Sequence, residues 1–178
     1  MDGPASFDAN ALAKAAGATP FKRPENAQFQ PGTQFQTFFC DVTGDTDANA
    51  GTNALLAARG TWGAIFRVDL AKNHESGTIS LVVLGDADHA SFDNIAFGSE
   101  DILLAAEDRG DMLHGQLNTL DSIWAFDVGK NPAPPVRLLA LGRDRLSNGV
   151  EDNEPTGLTY SDGDSSVGGL LGTKPIRA

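Results

Sequence analysis

The stretch FKRPEN sets Arg23 and Glu25 two residues apart with Pro24 between them. Proline fixes its own φ and disfavours the helical region for the residue before it, so this segment is expected to be extended. Residues i and i+2 of an extended segment share one side. Arg23 and Glu25 should then project together, either as an anion receptor beside a cation ligand or as a pair that neutralises itself. Further on, HASFDNIAFGSEDILLAAED places Asp93 and Asn94 at the entrance of one apolar run, and Glu107 and Asp108 at the exit of the next. If the two runs form a hairpin, all four residues lie at the same end of a sheet and their oxygens converge on one rim. The competing reading is that Asp and Asn are ordinary turn residues, and it weighs more on Glu107 and Asp108 than on Asp93 and Asn94. Glu154, just before Pro155 in EDNEPTGLTYSDGD, repeats the pairing of a carboxylate with a proline ahead of a strand-like segment.

The chemistry open to such residues is that of hard cations. Eight acids (Asp86, Asp88, Asp93, Glu100, Asp101, Glu107, Asp108, Asp111) crowd one window against a single base, Arg109. Six more (Asp144, Glu151, Asp152, Glu154, Asp162, Asp164) crowd a second window against Arg145. Clustered carboxylates repel one another unless water or a cation separates them, and oxygen-only clusters suit calcium. A solvated acidic surface is the plainer alternative. The turn Asp162-Gly163-Asp164 lacks the full spacing of a calcium-binding EF-hand loop. No phosphate-cradling glycine loop, zinc-protease helix or nucleophile elbow is present. Cys40, the single cysteine, lies in the apolar run FQTFFC and reads as a buried inert thiol. The histidines His74, His89 and His114 share no metal-binding spacing. Any catalysis should therefore run on metal-held carboxylates with an arginine receiving an anion.

A formal charge of −11 argues against nucleic acid and anionic membrane as partners. No apolar stretch approaches the ~20 residues a membrane span needs, and the N-terminus shows no signal peptide. The chain is expected to be soluble.

The elements that must position these residues are mostly strands. The 178 residues make one domain, 1–178, or a piece of a larger one, and 20 glycines with nine prolines favour many turns over long helices. FDANALAKAAG, from Phe7 to Gly17, reads as one short helix capped by Asp8 or Asn10 and stopped by Gly17. Strands are expected in TQFQTFFCDV, WGAIFRVDL, GTISLVVLG, FDNIAF, DILLAAED, SIWAFDV, VRLLALG and TGLTYSDGD. Four of them fall between Phe92 and Gly142, the spacing of one four-stranded antiparallel blade of a β-propeller. That pattern favours a propeller over a β-sandwich. The expected fold is therefore all-β: about three blades and a short N-terminal helix. Three blades are too few to close a ring, so the chain is expected to be a fragment of a larger propeller or an open stack.

Taken together, GATPFKRPEN, FFCDVTGD, FDNIAF, AAEDRGDMLHGQLNTLDS and DNEPTGLTYSDGD resemble, in the same order, the bacterial PhoX-type alkaline phosphatase family, from about Gly17 to Lys174. The resemblance implies part of a six-bladed propeller whose central face holds calcium and iron (Ca2+, with Fe3+ possible beside it) and hydrolyses phosphomonoesters. It implies export by the twin-arginine route to the periplasm or outside the cell, with the remaining blades of the propeller as the neighbours of this segment. Carried over by motif, Arg23 matches a phosphate-contacting arginine, and Glu25, Asp93 and Glu154 match metal-ligating residues. Asn94 and Asp108 join the metal-binding set without an individual role. The chain departs from the family in length and in an iron-bound cysteine, whose context Cys40 does not share. Three functions follow as expectations: a phosphatase or its phosphate- and metal-binding part, a non-catalytic calcium-binding propeller module, or a truncated product without independent function.

Overall fold

Alternation drives the local structure. In TFFCDV the side chains of Thr37, Phe39 and Asp41 fall on one face and those of Phe38, Cys40 and Val42 on the other, as a pleated strand requires. A computed structural model of the chain describes residues 7–44, 62–109, 119–141, 155 and 157–160. They form one short helix, α1 (Ala9–Ala15), and eight strands: β1 (Pro24–Phe29), β2 (Thr37–Val42), β3 (Ala64–Leu70), β4 (Gly77–Leu84), β5 (Phe92–Phe97), β6 (Ile102–Glu107), β7 (Ser122–Asp127) and β8 (Val136–Ala140). The strands build two four-stranded antiparallel sheets, β1-β2-β3-β4 and β5-β6-β7-β8. In each, chain order and spatial order coincide, so every strand pairs with its neighbour in sequence.

The sheets meet through β1 and β2 of the first against β5 of the second. Between them lies one core of Phe39, Ile65, Phe92, Ile95, Leu103, Ala105, Trp124, Phe126 and Val128, with Val83 and Phe97 packed against it. Phe39 meets Phe97 edge-on at 5.4 Å, and Phe92 meets Phe126 at 5.7 Å. Each large side chain so buried stabilises the fold by about 1.5–3 kcal/mol. A smaller cluster of Val42, Ala64 and Phe66, with Cys40 beside it, sits on the other face of the first sheet under Phe21. Backbones approach closely at Gly63, where an added Cβ would stand 2.8 Å from the amide nitrogen of Ser91. There the Ser91 N–H donates to the carbonyl of Trp62, and only a residue without a side chain, at φ +92°, permits the approach.

Several expectations change in detail. The helix is shorter than Phe7–Gly17; the Asp8 carboxylate caps it by accepting the Ala11 N–H at 2.9 Å. Residues 33–36 of TQFQTFFCDV form a turn, tied by the Gln36 N–H to the Thr33 carbonyl, and the strand begins at Thr37. PENAQF, read only as extended, is a full edge strand. Of TGLTYSDGD, residues 157–160 carry no strand, and the rest of it, like most of the expected third blade, lies outside the described residues. No helix among the described residues is long and apolar enough to cross a membrane.

Candidate functional site

The rim where β1 and β5 lie side by side is shaped by two irregularities in the ladders. In β1, Pro24 pairs with Val42 and Ala27 with Cys40, so Glu25 and Asn26 together stand opposite the single residue Asp41. In β5, Phe92 pairs with Glu107 and Asn94 with Ala106, which leaves Asp93 as the extra residue. Bulges bend a strand, re-aim its side chains and concentrate next to active sites. Here each one carries a carboxylate nominated by the sequence.

Arg23 stands immediately before the first bulge. Its expected extended backbone is not what forms: φ is +53°, in the left-handed region that side chains disfavour. The cause is local, because the carbonyls of Arg23 and Lys22 must turn to accept the N–H groups of Thr43 and Gly44, at 3.0 and 3.1 Å. The guanidinium still reaches Glu25, with Nε 3.6 Å from Oε1, and its Nη2 lies 3.8 Å from Oδ2 of Asp108. These separations exceed hydrogen-bond lengths, and Arg23 is nearly half exposed, so each pair contributes no more than about 1 kcal/mol. Asp108, by contrast, is buried, and its N–H donates to the Ser91 carbonyl. Asn94 bridges two parts of the site: its Nδ2 donates to the Asp93 carboxylate, and its Oδ1 accepts the Gly157 N–H at 3.1 Å. That bond brings residues 157–160 to the rim. Glu154 itself lies outside the described residues.

Sequence reasoning missed Asp41. It is fully buried, its Oδ1 accepts the Asn26 N–H at 2.7 Å, and its Oδ2 has no hydrogen-bond partner among the described residues. Burial, reinforced by the charges of Asp93 and Glu25, pushes its carboxyl from 3.8 up to about 8, although the Asn26 bond pulls the other way. The available signal was an acid on the same face as Phe39 in an otherwise apolar strand.

Glu107 does not join the rim. It is fully buried, accepts Nη2 of Arg109 at 2.7 Å and the Ala90 N–H at 2.9 Å, and belongs to the interior. Cys40, expected to be buried, is only half-buried; it faces away from Asp41, packs beside Val42 and Phe66, and partial burial raises its thiol. A cleft of about 410 Å³ between β4 and the β7–β8 connection is lined by Val82, Leu84, His89, Phe126 and Pro132, and by none of the rim residues.

The carboxylates and the Asn94 amide at the rim offer oxygens, and Asp41 Oδ2 has no hydrogen-bond partner among the described residues. An oxygen-only set suits hard cations such as calcium. Among the described residues, no three Asp, Glu, His or Cys side chains stand close enough together to enclose a metal as they are placed. Further oxygens would have to come from the 157–160 side, or from closure of Glu25 and Asp93 on the ion. No protein-family model, curated protein or solved structure matches the chain.

Proposed function

We propose that this chain is the phosphate- and metal-binding part of a PhoX-type, calcium- and iron-dependent phosphomonoester hydrolase, built as part of a β-propeller. The observation that carries the reading is the approach of Arg23 and Glu25 of the β1 segment, Asp93 and Asn94 of β5, and Asp108 after β6, three separate segments, along one rim between two sheets. Two four-stranded antiparallel sheets with their first strands side by side also support propeller architecture, in which first strands line a central channel. Glu25 and Asp93, with Asn94 and Glu154, would hold a calcium ion. When bound, such an ion supplies a positive charge that polarises a phosphoryl oxygen. The chain's own contribution is orientation: Arg23, planar and always charged, grips a phosphate through two parallel hydrogen bonds. Asp108 stands 3.8 Å from the guanidinium.

A second reading, a non-catalytic calcium-binding propeller module, is favoured by one fact: two carboxylates already flank Arg23. Inorganic phosphate separates the two. Calorimetric titration of phosphate into calcium-loaded protein should show binding that falls at least tenfold in Arg23→Lys and disappears with chelator. Calcium binding without phosphate binding would leave the module reading and overturn the hydrolase.

A further inference from the structure

We infer that the cleft between β4 and the β7–β8 connection is a second binding site, for a small neutral molecule with an apolar body and one hydroxyl, which donates to Nε2 of His89. No rim residue lines this cleft, so the inference is independent of the cation reading. Its volume of about 410 Å³ lies in the range of small-molecule sites, which are mostly apolar, largely pre-formed and carry few polar groups.

Three observations specify the occupant. First, the walls are apolar and held in shape. Val82 and Leu84 of β4 form one side, and Phe126 and Pro132 the other. Asp127 fixes the second side: its Oδ1 accepts the Gly129 N–H at 2.9 Å and its Oδ2 the Ala133 N–H at 3.2 Å. Second, the polar group is oriented. His89 lines the cleft and packs edge-on against Trp124 and Phe126, at 4.5 and 5.9 Å. Its Nδ1 lies 3.1 Å from Oδ1 of Asp86, an oxygen that also accepts the N–H groups of Asp88 and His89. That oxygen accepts here too, so Nδ1 carries the proton and Nε2 of the neutral ring is left as an acceptor. Nε2 has no hydrogen-bond partner among the described residues and is not sealed from solvent. Third, charge narrows the class. Asp86 and Asp127 both line the cleft and repel an anion. A cation gains little from Asp127, whose oxygens are both engaged by backbone, and burying a full charge against apolar walls costs far more than burying a hydroxyl. A small phenol or alcohol meets all three conditions.

The test is an NMR titration of the unaltered chain and of His89→Phe with p-cresol, with toluene and benzoate as controls. Toluene has nearly the shape of p-cresol without its hydroxyl, and phenylalanine keeps a ring beside Trp124 without Nε2. p-Cresol should give saturable shifts of the Val82, Leu84 and Val128 methyls with a Kd on the order of millimolar, as suits so small a probe. Toluene should bind about fivefold more weakly, the worth of one hydrogen bond, and benzoate should give no saturable shift. In His89→Phe the affinity for p-cresol should fall to that for toluene. Equal affinity of p-cresol and toluene for the unaltered chain would overturn the inference, as would benzoate binding as tightly as p-cresol or no saturable shift with p-cresol. Should His89→Phe fail to fold, a crystal structure of the unaltered chain with p-cresol decides: a hydroxyl oxygen more than about 3.2 Å from Nε2 removes His89 from the site.

Discussion

Arg23 combines two properties that pull apart, a backbone that suits glycine and a side chain that glycine lacks. A left-handed φ costs a residue with a Cβ about 1–3 kcal/mol. Arg23→Gly should therefore be more stable than Arg23→Ala by about 1 kcal/mol in urea unfolding, while both lose phosphate binding equally. Equal stability of the two variants would show that the turn relaxes when the guanidinium is removed. Asp41 makes a second prediction at this scale. In calcium-free buffer its folded-state carboxyl, at about 8, lies above the ordinary 3.8, so the native chain binds this proton more tightly than the unfolded chain does. The stabilisation is complete below pH 4 and is lost as pH rises through about 8. Glu107, raised by burial from 4.5 to about 7, adds in the same direction at lower pH. Unfolding free energy should thus fall from pH 4.5 to pH 8, on the order of a few kcal/mol, and Asp41→Asn should flatten the upper part of that slope. A rise over that interval would mean that both carboxyls are ionised in the folded chain at neutral pH.

The exit of β6 is locked by ions in the interior. Arg109 is fully buried; its Nη1 donates to the Leu120 carbonyl, and its Nη2 to the Asp88 carbonyl and to Glu107. Its own N–H donates to Asp121. One side chain thereby ties the entrance of β5, the exit of β6 and the approach to β7. Removing one partner strands the other, and a broken buried pair costs about 3–5 kcal/mol. Arg109→Met should lose that much in guanidinium unfolding, and the double variant Glu107→Met with Arg109→Met should recover part of it. A single substitution costing under 1 kcal/mol would show that water replaces the guanidinium. The strands themselves were legible, because alternation and turn residues mark β2 to β8 in the sequence. Arg109 was not: a lone base among eight acids looks like a surface residue until the packing encloses it.

Across the whole molecule, the sequence disclosed the pieces of the site more readily than their assembly. Asp93 follows Glu25 by 68 residues, and nothing in that spacing says that β1 and β5 lie side by side; only the packing of the two sheets brings them together. The bulges are equally silent in sequence, since an extra residue in a strand leaves no compositional mark in PENAQF or FDNIAF. Asp41 escaped notice because an acid in an apolar strand is indistinguishable from a strand end until its burial is known. Glu25 and Asp93 occupy corresponding places, each on the first strand of its sheet and each at a bulge facing the second strand. In evolutionary terms such a site grows by copying: duplicating one sheet duplicates a carboxylate already aimed at the shared rim. A lineage could accumulate rim carboxylates one sheet at a time, with no new local invention.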